Sequence, residues 1–165
     1  MNPVTQIFLE EGAVFTLDTA QIGGVDSTVR KTEVSMEADA KLFVMEKLMT
    51  HDNQTAVSDM TVEMNGAGSS AQIVSRSVAK GHSVQTFHPI AIGNALCHAH
   101  VQCDSIIMDK AQISSIPEIN ARDIDAQIIH EAAIGRINNE QILKLRTFGM
   151  TEEEAEAVII EDFLA

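Results

Sequence analysis

Closely spaced turn signals run through residues 5–134, and they limit the secondary structure that can lie between them. The segments between the turns are short and rich in Val, Ile and Thr, as in 55–64 and 71–79. Several short strands at fairly even spacing are typical of an all-β body, namely a sandwich, a barrel or a solenoid. No sharp repeat is visible, so periodicity alone does not choose among these three. The turn signals are Gly12, Gly23, Gly24, residues 51–53 and 65–68, Gly81, Gly93, residues 109–110 and Asn120.

The charge balance excludes one class of partner. The 165 residues include 24 acidic and 11 basic side chains, for a net charge of −13. Nucleic-acid backbones are normally bound by clustered Lys and Arg, so binding to nucleic acid is not expected. The sequence also contains no apolar stretch of about 20 residues and no readable export signal, so we expect a cytoplasmic protein without a membrane partner.

One predicted strand, over residues 95–103, alternates clearly between small apolar and polar side chains. We expect Cys97 to be a core residue, because a cysteine on an apolar strand face is usually a small core hydrophobe. Cys103 lies near the strand end beside Asp104 and is expected to be the more accessible thiol. The predicted inward face consists of Ala95, Cys97, Ala99, Val101 and Cys103, and the outward face of Leu96, His98, His100 and Gln102.

Potential metal ligands concentrate in two places, at residues 97–103 and at His130-Glu131. Thiolate, imidazole and carboxylate groups are the ligands expected for zinc, iron or an iron–sulfur species. The spacing of Cys97 and Cys103 matches neither a zinc knuckle nor a ferredoxin motif. His130 and Glu131 would point to opposite faces of one strand. From spacing alone, a metal site that includes Cys97, His98 and His100 and an ordinary structural role both stay open.

Residues 138–164 predict two helices. Asn138 is the expected N-cap of the first, and Gly149 its left-handed end. Thr151 and Glu154 form a predicted capping box for the second. Residues 151–165 carry six acidic side chains and no base, which suits either a solvated face or a basic partner. The apolar positions are Ile142 and Leu145 in the first helix and Ala155, Val158, Ile159 and Phe163 in the second.

Several motifs occur in order from residue 102 onward: Gln-Cys-Asp-Ser-Ile-Ile at 102–107, Ser-Ser-Ile-Pro-Glu-Ile at 114–119, and Ile-His-Glu-Ala-Ala-Ile-Gly-Arg-Ile at 129–137. They resemble the cysteine segment, the following Pro-containing strand and the His-Glu-Ala segment of the SufB/SufD family of iron–sulfur cluster assembly scaffolds. Ile128 stands where SufD-type sequences tend to carry Cys. The chain is therefore more similar to SufB, and to the C-terminal half of that longer protein.

The resemblance implies a fold and a domain organisation. We expect a right-handed parallel β-helix over residues 1–135 and a short helical segment over residues 136–165. A truncated β-helix has an uncapped end, where strand edges are exposed and unpaired. We therefore expect self-association that covers them, most simply as a two-fold homodimer.

The resemblance also implies a function, that of a scaffold rather than an enzyme. Cys103 matches the family's essential cysteine, and His130 and Glu131 match its His–Glu pair; together they would hold sulfide or iron in a transient iron–sulfur cluster. A nearby imidazole is expected to lower the pKa of Cys103. A two-fold interface would bring Cys103 of one chain to His130 or Glu131 of the other. A flavin is a further possible cofactor, but no residue in this sequence supports it.

The implied partners are an ABC-type ATPase similar to SufC and a second chain similar to SufD or SufB. The ATPase would dock on the C-terminal helices, at Ile142, Leu145, Phe148, Val158, Ile159 and Phe163. Two alternatives stay open. One is a silent SufD-like assembly partner without a cluster of its own, and the other is a hydrolytic metalloenzyme that uses His98, His100 and Glu131.

Overall fold

The computed structural model describes residues 2–165 and places a run of strands before two helices. The strands are β1 (Val4–Leu9), β2 (Val14–Ile22), β3 (Ser27–Met36), β4 (Lys41–Thr50), β5 (Thr55–Met64), β6 (Ser69–Ala79), β7 (Val84–Gly93), β8 (Cys97–Ile107), β9 (Gln112–Ser115), β10 (Glu118–Ala121) and β11 (Gln127–Gly135). The helices are α1 (Asn139–Thr147) and α2 (Glu152–Leu164).

The strands belong alternately to two sheets. The first has the order β1-β3-β5-β7-β10, with β9 also paired to β7, and the second has the order β11-β8-β6-β4-β2. Every strand pair is parallel. The chain is therefore a β-solenoid of about 5 turns, which confirms the predicted β-helix class.

Paired strands are separated by a nearly constant number of residues, although no regular repeat is visible in the sequence. Strand partners lie 27 to 29 residues apart, as the hydrogen bonds from Gln6 to Glu33, Thr55 to Ser27 and Asn94 to Asn65 illustrate. The backbone turns through a positive φ at Asp52 (52°), Gly81 (73°) and Asp109 (54°) on one corner. Glycine adopts this conformation freely and aspartate tolerates it. The positive φ therefore recurs in each of these turns while the residue type alternates between Asp and Gly. For this reason the sequence shows no clear repeat.

The inner faces of the two sheets enclose the apolar core. The alternation predicted in β8 is confirmed: Cys97, Ala99, Val101 and Cys103 are all buried, whereas His98 is exposed. Further core side chains include Val34, Met36, Leu42, Val62, Met64 and Ile73. Space is tight at Gly93, where a Cβ atom would lie 2.7 Å from the Cβ of Ala126 and 2.9 Å from the Sγ of Cys97.

A second section of the interior is polar. Its hydroxyl and amide groups bond to one another: Gln85 donates to the hydroxyl of Thr50 at 2.8 Å, and Thr50 donates to Ser83 at 2.9 Å. Ser77 and Ser105 share a hydrogen bond of 2.8 Å. The buried polar side chains in this section are Thr28, Glu46, Thr50, Ser58, Ser75, Ser77, Ser83, Gln85 and Ser105.

Both predicted helix starts are confirmed. The Asn138 side chain accepts a hydrogen bond from the backbone N–H of Glu140, and Thr151 and Glu154 form the reciprocal capping box. Gly149 has a φ of 94° at the predicted left-handed end of α1. Neither helix within residues 2–165 is long and apolar enough to cross a membrane.

The contact face of α2 differs from the predicted one. Ala155 and Ile160 are buried, whereas Val158 is 42% exposed. Ile160 packs with Val78 and Met108 of the solenoid, and Phe163 and Leu164 pack around them. The basic side chains of Lys47 and Arg76 donate to the carbonyl oxygens of Ala165 and Phe163. Cations stabilise the negative end of a helix dipole, so these bonds also orient α2 on the sheet.

Replacing Gly93 with alanine should destabilise the fold by about 1–3 kcal/mol, because the added methyl group overpacks the space between Cys97 and Ala126. Urea unfolding of the wild type and G93A measures this difference. Gly135→Ala is the matched control, since no atom lies within 4 Å of the position of its added Cβ. An equal loss of stability in both variants would contradict the packing argument.

Candidate functional site

Cys103 lies in the interior near the C-terminal end of the solenoid. It is on β8, where it pairs with Ser75 of β6 on one side and with Ala132 of β11 on the other. The strand continues to Ile107, and Cys103 is only 3% exposed. The expectation of an accessible thiol at a strand end is therefore wrong, because four further residues of β8 follow it.

His130 completes the surroundings of this thiol. It is on β11 in register with Val101, and its side chain points inward like that of Ile128. Its Nε2 atom lies 3.4 Å from the Sγ of Cys103. The hydroxyl of Ser115, at the end of β9, lines the same small cavity as the thiol and has no hydrogen-bond partner among the described residues. A thiol, an imidazole and a hydroxyl from three strands thus meet inside the last turns.

Glu131 faces the other way. Its Oε2 atom lies 3.3 Å from the Nε2 of His100 on the outer surface of the second sheet, and both side chains are exposed to solvent. The prediction that His130 and Glu131 point to opposite faces is confirmed. The structure therefore contains two pairs on the two sides of one sheet, Cys103–His130 inside and His100–Glu131 outside.

The electrostatic surroundings favour the neutral form of the Cys103 thiol. Burial raises its pKa, and the negative charges of Asp104 and Glu46 raise it further, whereas the nearby hydroxyl of Ser115 lowers it. The net shift is upward, opposite to the sequence-based expectation. The reason is desolvation, which destabilises the thiolate. The sequence-based prediction assumed a thiol at an accessible strand end, where desolvation would be small.

Cys97 and His98 are not brought together with this pair. Cys97 is fully buried in the apolar core, and burial raises the pKa of its thiol. His98 is exposed on the outer face of the same strand. Among residues 2–165, no three or more His, Cys, Asp or Glu side chains are arranged to hold a metal ion. The participation of Cys97, His98 and His100 in metal binding stays a prediction.

The predicted docking residues are spread over the two helices. Phe148 is 76% exposed, and Val158 also reaches solvent, whereas Ile142, Leu145, Ile159 and Phe163 are half-buried. Sequence reasoning missed a groove beside α2 that Ile22, Met49, Ile160 and Leu164 line together with Lys80 and Glu156.

Comparison with known proteins assigns the fold and these motifs to one family. A model of the SufBD core domain of the SUF system of iron–sulfur cluster assembly matches residues 2–163. The chain belongs to the SufBD family. This confirms the resemblance drawn from the motifs at 102–137.

Curated relatives cover the whole chain at low identity. An iron–sulfur cluster assembly SufBD family protein of Methanocaldococcus jannaschii is 28% identical over 99% of this chain and 52% of its own length. One from Archaeoglobus fulgidus is 28% identical over 99% of the chain and 45% of its length. One from Pyrococcus horikoshii is 31% identical over 82% of the chain and 44% of its length. This SufBD chain thus spans about half the length of the relatives it matches.

Removing the Ser115 hydroxyl should raise the pKa of Cys103 further, because this nearby polar group lowers that pKa in the wild type. The thiolate absorbance near 240 nm should then appear at higher pH in Ser115→Ala than in the wild type. Ser114→Ala is the control, because Ser114 is exposed on the same strand. Coincident titration curves for S115A and the wild type would show that the Ser115 hydroxyl does not affect the pKa of the thiol.

Proposed function

We propose that this SufBD chain is a scaffold for iron–sulfur cluster assembly in which Cys103 and His130 bind the incoming iron. The family supports the process, and the contact between Sγ and Nε2 supports the site. The cluster is the cargo of the scaffold, which binds and releases it without a reaction of its own.

The distance between the two atoms carries this proposal. Thiolate sulfur and imidazole nitrogen bind first-row metals at roughly 2.3 Å and 2.0–2.1 Å. In a tetrahedral site, these bond lengths put sulfur and nitrogen about 3.5 Å apart. Cys103 and His130 already lie 3.4 Å apart, so one iron ion could bind both with little movement of the two strands.

Glu131 has a different place in the proposal. It points outward, so it cannot join Cys103 and His130 around one ion within the same chain without a rearrangement of β11. A carboxylate on the outer face can instead serve a cluster shared with a second chain, as the expected two-fold interface requires. His100, its hydrogen-bond partner, would orient it there.

A second chain would bind at the edge of β11. This strand ends the second sheet, and no strand within residues 2–165 pairs with its outer edge. It exposes Ile129 and Ile134, which are 58% and 47% exposed. An unpaired edge with apolar side chains is a template for pairing with another chain. We propose a homodimer, or a pair with a SufD-like chain, across this edge.

An ABC-type ATPase similar to SufC is the proposed partner of the helical segment. Exposed apolar side chains at Phe148 and Val158 supply contact area, and the acidic first turn of α2 favours a basic partner surface. Such a surface needs only a few buried apolar anchors inside a charged rim. These two anchors would be supported by the half-buried apolar side chains of the same helical segment, namely Ile142, Leu145, Ile159 and Phe163.

The silent SufD-like partner is the second candidate function. The burial of Cys103 favours it, because a protonated and shielded thiol is a poor ligand until it loses its proton. This candidate predicts that the chain binds no iron by itself.

Anaerobic reconstitution with ferrous iron and sulfide separates the two candidates. The scaffold should show thiolate-to-iron charge-transfer absorption and bound iron in the wild type, and both should be lost in Cys103→Ser. Cys97→Ala should load normally, since Cys97 lies in the apolar core away from His130. Equal loading of C103S and the wild type would overturn the site, and no loading of the wild type would favour the silent partner.

A charge at the β11 edge should prevent dimer formation. Ile134→Lys is expected to convert a dimer into a monomer in light scattering after size exclusion, because lysine on an edge strand opposes strand pairing. Ile124→Lys is the control, since Ile124 is 98% exposed in the turn before β11. A wild type that is monomeric, or a dimer that survives I134K, would refute this interface.

A further inference from the structure

Cys103 is buried, yet it lies close to one end of the solenoid. In the second sheet β8 is followed by β11, and no strand among residues 2–165 lies beyond β11. On the other side of β8 the same sheet continues through β6, β4 and β2. One strand therefore separates the thiol from the C-terminal end of the solenoid, and three strands separate it from the N-terminal end.

The inward side chains of β11 form the last layer over the thiol. His130 points inward, because it contacts Cys103, and side chains two residues apart share one face of a strand. On this face Ile128 and His130 are half-buried. Farther along, Ala132 is exposed and Ile134 is 47% exposed. The end of the solenoid is thus covered around His130 and open around Ala132.

Ala132 is the residue of this layer that lies next to Cys103. The two residues are register partners in the parallel pair of β8 and β11. Ala132 has only a methyl group, whereas its neighbours on the same face are the larger His130 and Ile134. The cover over the thiol is therefore thinnest at Ala132.

The first sheet also leaves space near the thiol. Ser115, the last residue of β9, lines a small cavity together with Cys103. The strand is interrupted after Ser115 and resumes at Glu118, with Pro117 in between. Proline has no backbone N–H to donate to a neighbouring strand. The last turn thus has small side chains near the thiol on both sheets, and a break in one of them.

The route from the N-terminal end is closed. Ser75 and Glu46 lie beside Cys103 on the next two strands in that direction, and they are 5% and 1% exposed. Protein interiors are close-packed, so an ion from solvent does not cross such buried layers readily. The C-terminal end offers the shorter path, because only the layer that contains Ala132 lies there.

We propose that metal ions reach Cys103 through the C-terminal end of the solenoid, and that the size of the side chain at position 132 controls this entry. The inference rests on the proposed function, because it takes Cys103 and His130 as the ligands of the ion. Ala132 itself binds nothing. A larger side chain there would stand over the sulfur and delay the ion, while both ligands stay in place.

The rate of Co²⁺ uptake under anaerobic conditions tests the proposal. Co²⁺ replaces iron as the probe, and its bond to a thiolate gives charge-transfer absorption in the near ultraviolet that stopped-flow mixing follows. The thiol proton is released to the buffer as the cobalt–sulfur bond forms. We expect Ala132→Leu to slow the appearance of this absorption about tenfold and to leave its final intensity unchanged. Damage to the ligands would change the final spectrum instead.

Ala133→Leu is the matched control. Ala133 is the next residue of β11 and is exposed on the outer face, so the same added volume lies away from the thiol. This variant should take up Co²⁺ at the wild-type rate. Ala132→Val adds a smaller side chain that suits a strand, so it should slow uptake less than A132L and carries the test if A132L does not fold. Wild-type rates in the variants of Ala132, or equal slowing in A133L, would overturn the proposal.

Cys103→Ser separates this inference from the proposed function. If C103S loses the absorption while A132L keeps the wild-type rate, the ligands are correct and the ion enters elsewhere. Absorption that persists in C103S, or a wild type that takes up no Co²⁺, would overturn the proposed site and this inference together.

Discussion

Parallel pairing of each strand with the strand 27 to 29 residues further along is the constraint on which the rest of the structure depends. Since every pair is in register, residues at the same position of successive turns form rows across the sheet. Strand alternation then sends each row either inward or outward. Neighbouring side chains within a row have similar polarity. Those beside Val101 are apolar, and those from Glu46 to Cys103 are polar.

This arrangement explains why the His-Glu motif at 130–131 divides between two environments. His130 follows the inward row and reaches the thiol of Cys103, whereas Glu131 follows the outward row and meets His100. A sheet cannot bring both side chains to one ion in one chain. An assembly that uses both must build its site at the end of the solenoid, where β11 presents an edge to a second chain.

The interior of the solenoid is a chemical environment as well as a packing core. Burial raises the pKa of Cys103 and also that of Glu46, so each of these acids is more readily protonated than it would be in water.

Much of the fold could be predicted from the sequence. Turn signals, the alternation at 95–103, and the caps at Asn138 and Thr151 predicted the strands and both helices, since each depends on local backbone preferences. Residues 102–137 carried the family motifs. The 27 to 29-residue step was not readable, because Asp and Gly replace each other at the corners.

The sequence by itself thus determined the β-rich body, the helix starts, the family and the opposite directions of His130 and Glu131. Only the tertiary structure decided that His130, rather than Glu131, meets Cys103, and that Ile160 rather than Ile159 is buried against the solenoid. It also decided that Glu46, Ser75 and Cys103 lie in one row of side chains, although Glu46 and Cys103 are separated by two turns of chain. Local preferences act over a few residues, whereas these contacts depend on the register between strands, and that register is set by the length of each whole turn.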